Sequence, residues 1–387
     1  MVDARRPGRH PHRVGTPCDL VVVGAGIVGL AHAVEAQRRG LSVTVVERDA
    51  RAVGASVRNF GHACITAQVG RNLDLARASR DRWIDAGKRA GFGVAESGAV
   101  VVARSPEELD VLEEFAVARP GEAELLDVAA LRQHVPLAGG DVVGGAHLPQ
   151  DLRVDQRRAV GALAGWLADQ PGVRFLWETS LMGMEEGTVR TSRGTIDAGR
   201  AVVCVGHDVD RLFPDIAREA QVERCVLHML RVAAPSSHWY RVDPAVLSGT
   251  SLLRYGGFAA CPSVPALRAR IAADRPELLA ADVNLMFTQL PGGDLTIGDT
   301  HHTTRTVDPF SEESVDDLLL TEAARLLGAD RLVVRQRWRG TYATAPDDLL
   351  IAAPTPATRV VSVTSGIGMT LAFGLAVEVL DDLSATP

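Results

Sequence analysis

Leu20-Val21-Val22-Val23-Gly24-Ala25-Gly26-Ile27-Val28-Gly29 is a continuous apolar run that passes into three glycines at GxGxxG spacing, and its reading decides the fold. The run reads as a buried strand, and the glycines open the helix after it. Ser42–Val46 is a second, β-branched strand, closed by Glu47. Each glycine has a mechanical role. Gly24 makes the tight turn, Gly26 lets the backbone approach a pyrophosphate, and Gly29 lets helix and strand pack closely. The pyrophosphate would sit at Ile27 and Val28 on the helix N-terminus, where unpaired N–H groups and the dipole favour negative charge. Glu47 is placed to accept hydrogen bonds from a ribose diol. It disfavours a 2′-phosphate, although Arg48 beside it leaves that nucleotide open. The unit predicts a dinucleotide site of unspecified kind.

At 387 residues the chain exceeds a single small core, and two domains are expected. A net charge of −7 argues against a nucleic-acid partner. Lys88 is the sole lysine, so nearly all positive charge is arginine, and arginine abundance alone is no sign of anion binding. The five cysteines are scattered, odd in number and without CxxC spacing, which predicts neither a disulfide framework nor a zinc site and suits a reducing cytoplasm. Residues 1–16 are basic and rich in Pro, Gly and His, lack the apolar stretch of a signal peptide, and read as a disordered arm. No apolar run approaches membrane length.

After the first unit, Gly54–His62 reads as a loop near the nucleotide, followed by a helix over Gly70–Ala90 with an apolar stripe including Leu73, Ala76 and Trp83. Ala99–Ala103 is a strand, Pro106–Val117 a helix, Gln156–Ala168 a helix, Val173–Trp177 a strand and Ala201–Val205 a buried strand. From Val222 strand-like runs recur: Cys225–Val232, Val283–Leu290 and Leu295–Ile297, the last two joined by a Pro291–Gly293 turn. These predict an antiparallel sheet in a second domain. Glu313–Leu327 is a helix, and Arg359–Val363, Thr364–Met369 and the terminal helix Thr370–Leu383 return to α/β texture. The expected division is a nucleotide domain of residues 17–90, 150–221 and 335–387, with 91–149 and 222–334 forming an inserted substrate domain.

Three features favour FAD over NAD. The 54–61 loop carries small residues and an arginine placed to run under a flavin. Val202–His207 is an apolar strand ending in Gly206. Ser365-Gly366-Ile367-Gly368-Met369-Thr370 opens the last helix and offers N–H donors to an electron-rich ring edge. Together these motifs resemble the D-amino-acid oxidase, glycine oxidase and sarcosine oxidase family over about residues 18–385. Arg339-Gly340-Thr341-Tyr342 and Pro346-Asp347 belong to the same resemblance. It implies an α/β, Rossmann-type (glutathione-reductase-like) FAD domain with an inserted antiparallel-sheet substrate domain. Within the family, SVRNFGH and Gly298-Asp299-Thr300-His301-His302 resemble a subgroup associated with aminophosphonates. Sarcosine oxidases tether flavin through a cysteine before the tyrosine of this stretch; here Thr341 stands there, so the FAD is expected to be non-covalent. The lysine that speeds oxygen reaction in those enzymes has no counterpart, since Lys88 lies in another segment. Another cation, Arg58, His62 or His301, must serve, or the enzyme is a dehydrogenase.

Flavin amine oxidation needs a C–H bond aimed at the flavin and a neutral amine, so the protein contributes positioning and electrostatics. An anionic tail calls for arginine, whose planar fork bonds two oxygens. The expected catalytic set is Arg58, His62, His301 and Tyr342. Arg254, Tyr255, His301, His302 and Arg339 are expected at the substrate, with one histidine of the pair facing the cavity and Asp299 orienting it. Arg337 is a further anion-binding candidate. The expected FAD contacts are Gly24, Gly26, Ile27, Val28, Gly29, Glu47, Arg48, Ser56, Val57, Arg58, Asn59, Gly61, His62, Gly206, Gly340, Gly366, Ile367, Gly368, Met369 and Thr370. No metal is expected. The activity implied is oxidation of a small amine with an anionic tail, aminophosphonate before amino acid, with oxygen accepting the electrons. A dehydrogenase feeding a quinone or partner protein, a non-catalytic flavin subunit and a nicotinamide dehydrogenase are the competing expectations.

Overall fold

The computed structural model describes residues 13–137, 140–235 and 241–385. Cys18–Val23 pairs in parallel with Val43–Val46 on one side and Gly194–Val203 on the other. Val173–Leu176 and Thr358–Ser365 extend the sheet outward, also in parallel. Leu20–Val23 and Val43–Val46 are buried along their whole length. Burial on both faces is why these strands read as unbroken apolar runs rather than alternating ones. The helices Ile27–Arg38, Gly70–Ala90, Gln156–Ala168 and Gly368–Ala385 share one hydrophobic core with this sheet.

Helix Gly70–Ala90 fixes where the last helix begins. Trp83, 1% exposed, donates its indole N–H to the carbonyl of Met369 at 2.7 Å. Ser79 Oγ accepts the Gly374 N–H at 2.8 Å, and a Cβ at Gly374 would lie 2.3 Å from the Leu75 carbonyl. The second glycine turn is therefore anchored through packing as well as through its own strand.

The other half of the sheet runs from Glu223–Val232 through Leu295–Gly298, Met286–Gln289, Ala245–Leu247, Ala99–Ala103 and Gly144–Leu148 to Glu124–Leu126. Its pairings are antiparallel except one. Ala99–Ala103 runs parallel to Ala245–Leu247, a departure from the antiparallel sheet expected, because these strands are joined by a long crossover rather than a hairpin. The predicted Pro291–Gly293 turn is present, with the Gly293 N–H donating to the Leu290 carbonyl at 2.8 Å.

The seam between the halves is a strand that sequence reasoning missed. Val334–Thr355 pairs first with Glu223–Val232 and then, past an irregularity between Thr344 and Leu349, with Thr358–Ser365. It joins the two halves into one mixed sheet of 16 strands, with His62–Ala63 and Leu152–Arg153 paired separately. Two large hydrophobic clusters lie on either side of the seam, one centred on the parallel strands and one on the 99–148 and 225–342 stretches. The hairpin Leu181–Glu185 with Thr188–Thr191 was also not anticipated, and the last helix starts at Gly368 rather than Thr370.

Residues 1–12 of the expected disordered arm lie outside the described residues. From Arg13 the chain follows the sheet, with the Val14 N–H donating to the Thr195 carbonyl at 2.8 Å and Arg13 paired with Asp197 at 2.9 Å. All five cysteines are free. Among the described residues no helix is long and apolar enough to cross a membrane.

Candidate active site

A cavity of about 790 Å³ joins the two halves of the molecule. At one end it is lined by the carboxyl ends of the parallel strands, at the other by side chains of the second half. In an open parallel sheet the first location is where nucleotides bind.

The nucleotide end is built mostly from backbone. Gly24 has φ +102°, and a Cβ there would lie 2.3 Å from the carbonyl of Cys204. At Gly29 a Cβ would meet the Gly24 carbonyl at 1.9 Å, so this residue serves helix–strand packing and does not line the cavity. Beside Gly26, by contrast, an added Cβ would meet only Ser56 Oγ, at 3.1 Å; this glycine, Ile27 and Val28 face the cavity. Helix Ile27–Arg38 starts with no side-chain cap and no acid in its first turn. Ser56 Oγ accepts the Ile27 N–H at 2.9 Å, and the remaining first-turn N–H groups and the dipole suit an anion.

Glu47 is held rigidly at this end. Its Oε2 accepts the Ala25 N–H at 2.8 Å and its Oε1 the Asp49 N–H at 3.0 Å. Arg48 is paired with Asp208 at 2.6 Å. Its charge is already balanced, so the phosphorylated ribose left open by the sequence loses its partner. Gly206 and Asp208 also line this part of the cavity.

A second helix N-terminus faces the cavity further along. Gly366, Ile367, Gly368, Met369 and Thr370 line it, and helix Gly368–Ala385 has no acid in its first turn. Gly366, at φ +78°, lies so close to Tyr342 that a Cβ would sit 3.0 Å from its ring. Gly340 lines the cavity beside Tyr342. Thr370 Oγ1 accepts the Cys64 N–H at 3.0 Å, which docks the short strand His62–Ala63 on this helix start.

His62 lines the cavity but is also committed to the protein. Its Nε2–H donates to Asp151 Oδ2 at 2.8 Å, and both side chains are buried. Asp151 Oδ1 accepts the N–H groups of Ile65 and Thr66 and the Thr66 hydroxyl, at 3.0, 2.8 and 2.9 Å. Sequence spacing gave no hint of Asp151, which is 89 residues away. With Cys64 the pair brings three metal-ligating atoms within 4.8 Å of one another. The carboxylate oxygens are already taken by protein donors, so the cluster reads as a structural network.

Arg58 is exposed at the cavity wall, and its guanidinium donates to the Arg339 carbonyl at 3.2 Å. Asn59 lines the wall and shapes the loop, accepting the Gly61 N–H at 2.7 Å. Val57 and Gly61 do not line the cavity; a Cβ on Gly61 would lie 2.0 Å from the Val154 carbonyl.

The inner end is a chamber of side chains. Arg254 follows the helical turn Gly249–Leu253 and donates to the Tyr342 hydroxyl at 2.8 Å, with Asp282 at 3.5 Å. Burial holds the phenols of Tyr342 and Tyr255 well above their ordinary values. His301 donates Nδ1–H to the Asp282 carbonyl at 2.9 Å, and burial together with the Arg254 charge pushes its pKa down to about 3. The ring is neutral, so His301 is not the positive charge foreseen for oxygen activation. Asp299, Asn284 and Tyr255 complete the lining. Asn284 had no signal in the sequence; its amide carbonyl accepts the Ser251 hydroxyl at 2.7 Å.

Two residues expected at the substrate lie elsewhere. His302 opens the strand His302–Thr304, opposite Val226, and is exposed, whereas His301 precedes the strand and is bonded to the Asp282 carbonyl. Arg339 donates to the carbonyls of Asp308, Pro309 and Phe310, and it alternates with the cavity-lining Gly340 along the same strand. Arg337 is likewise taken, by Asp316 and Glu313.

A dinucleotide cleft with two open helix N-termini, continuous with a buried polar chamber, is the layout of a flavoprotein oxidoreductase. The chain belongs to the family of FAD dependent oxidoreductases (DAO), whose model matches residues 19–381. It is an enzyme of that family with FAD as cofactor. It is 28% identical over 344 residues to the D-amino acid dehydrogenase of Cereibacter sphaeroides, covering 69% of this chain and 78% of that protein. It is also 28% identical over 211 residues to the bifunctional protein ThiO/ThiG of a Nostoc species, where the match spans 51% of this chain but 32% of the relative. Among solved structures, glycine oxidase from Geobacillus kaustophilus superposes with a TM-score of 0.76 over 96% of both chains at 19% identity, a likeness of fold.

Proposed function

We propose that the enzyme oxidises a small amine bearing an anionic tail. FAD, held non-covalently, supplies the acceptor for a hydride leaving the carbon beside the amine. The resulting imine is hydrolysed by water to an aldehyde or keto acid, and oxygen takes the electrons to give H₂O₂. The observation that carries this reading is Arg254: a guanidinium in the inner chamber, bonded to the Tyr342 hydroxyl and lining the same cavity as Asp299. A fork-shaped cation there is suited to a carboxylate or phosphonate. Tyr342, against Gly366, ties that anion site to the second helix N-terminus. Arg58, His62 and His301 flank the same space, and the protein's part is to orient the amine and exclude water.

Among such substrates an aminophosphonate related to 2-aminoethylphosphonate is put first, on the resemblance of the motifs Ser56–His62 and Gly298–His302, of which Ser56, Arg58, Asn59, His62, Asp299 and His301 line the cavity. Oxidation of glycine, sarcosine or a D-amino acid is the second reading, favoured by the names of the similar proteins. An anaerobic screen for flavin bleaching decides between them: fast reduction by aminophosphonates alone supports the first, and bleaching by none of these amines ends both. Slow reoxidation of the reduced enzyme by oxygen would instead assign it to the dehydrogenases.

A further inference from the structure

Asp299 is a buried acid with too few partners. It is 5% exposed and lines the inner chamber. Its Oδ1 has no hydrogen-bond partner. Its Oδ2 lies 3.7 Å from His301 Nε2, beyond hydrogen-bond length. A buried carboxyl in this state either keeps its proton or waits for a cation. Arg254, the nearby cation, already donates to Tyr342. The chamber therefore presents one anion-seeking group and one cation-seeking group in the same cavity.

We propose that Asp299 receives the ammonium group of a zwitterionic substrate whose anionic tail is held by Arg254, and removes one proton from it. The inference rests on the amine-oxidation reading and names the residue that prepares the amine. In the step, one N–H bond of the ammonium breaks and its electron pair stays on nitrogen. The proton passes to the Asp299 carboxylate, leaving a neutral amine and a neutral carboxylic acid. The His301 tautomer that donates Nδ1–H to Asp282 leaves Nε2 without a hydrogen, so His301 brings no competing donor to Asp299.

The pH dependence has a definite sign. Burial pushes Asp299 up to about 7, against the lowering effect of Arg254 and the Asn284 side chain. The titratable or charged groups that face it are Arg254, Tyr255, Asp282, His301, Tyr342 and Cys225. The phenols and the thiol are shifted upward and His301 downward to about 3, so none of these four changes charge near neutrality. Below about 7 Asp299 carries its proton and cannot take another. An acid limb of kcat/KM near neutrality is accordingly the expected outcome, assigned to Asp299.

The test uses the full-length, FAD-loaded protein as wild type, Asp299→Asn and Asp299→Glu. Two ligands are titrated anaerobically through the flavin spectrum: the zwitterion that bleaches it (2-aminoethylphosphonate or glycine) and its amine-free counterpart (ethylphosphonate or acetate). Asp299→Asn is expected to weaken the zwitterion about tenfold or more while leaving the amine-free anion within about twofold, as loss of one charge-assisted contact requires. The acid limb should vanish in Asp299→Asn and reappear in Asp299→Glu. Equal weakening of both ligands, or an unchanged zwitterion affinity and acid limb, overturns the assignment. Flavin content of Asp299→Glu guards against a folding defect in the asparagine variant. If no amine bleaches the wild type, the amine-oxidation reading falls and takes this one with it; if the wild type bleaches and the variants match it, only the role of Asp299 is lost.

Discussion

The two ends of the cavity are built from different materials. At the nucleotide end the working groups are backbone N–H donors at two helix starts, placed by glycines with no room for a side chain at Gly24 and Gly29. At the substrate end they are side chains, Arg254, Tyr342, His301 and Asp299, drawn from three separate segments: the turn after Gly249–Leu253, the strand Val334–Thr355 and the 299–301 connection. A backbone site is specified locally, by spacing within one strand–turn–helix unit. A side-chain site is specified by tertiary structure. Substitutions at the first end should therefore remove the cofactor or the fold, and those at the second should change catalysis while leaving the flavin in place.

The largest effect is expected from Gly24→Val. A side chain there meets the Cys204 carbonyl at 2.3 Å from a backbone at φ +102°, and neither backbone can yield cheaply. The conformational strain alone is about 1–3 kcal/mol, before any steric overlap. The expected product is a poorly folded or colourless protein, read from the flavin-to-protein absorbance ratio. A variant with a full complement of flavin would break the claim that this end is set by backbone geometry.

Asp151→Ala comes next. It strips four donors of a buried acceptor, the His62 ring among them. Removing one member of a buried charged network costs about 3–5 kcal/mol, so the denaturation midpoint should fall clearly. If stability holds but the amine KM rises, His62 belongs with the substrate end and the comparison must be redrawn.

How much of this was legible follows from the same contrast. The βαβ unit, Glu47, the helices 70–90, 156–168 and 313–327 and the second glycine turn could be read from residue patterns, because each is determined by neighbours in the chain. Val334–Thr355 could not, since Pro346-Asp347 interrupts its pattern while pairing on two different strands sustains it. His302 and Arg339 were misplaced because composition names an ionic side chain but not the face of the strand it occupies. Asp151 was invisible: its partners His62, Ile65 and Thr66 lie 85 to 89 residues away. Asp299 was seen only as a support for His301, because its unpaired oxygen is a property of packing.

Arg254→Ala sharpens the substrate side. A hydrogen bond to a charged group is worth about 1.5–3 kcal/mol, or roughly 10–150-fold, and the loss should appear in kcat/KM for the zwitterion. Flavin content should not change, because the hydrogen bonds of Arg254 go to Tyr342 and Asp282 in the inner chamber. Arg254→Lys should recover only part of the loss, since an ammonium cannot reproduce the planar fork. Loss of flavin in either variant would mean the two ends are coupled.

The smallest effect is assigned to His302→Ala, and it tests the comparison from the other direction. His301 and His302 are adjacent and chemically identical, so any difference between them comes from their placement: His301 ends the connection before the strand and His302 opens it. His301 has a nearly buried side chain, is bonded to the Asp282 carbonyl and lines the chamber. His302 is exposed on the outer face opposite Val226. A surface substitution away from special features changes stability by no more than about 0.5 kcal/mol, and kcat/KM should stay within about twofold. His301→Ala, by contrast, removes the ring beside Asp299 and should shift the acid limb of the pH profile. Should the two alanine variants behave alike, burial in the chamber would not be what sorts the pair, and the chamber's side-chain assignments would lose their geometric basis.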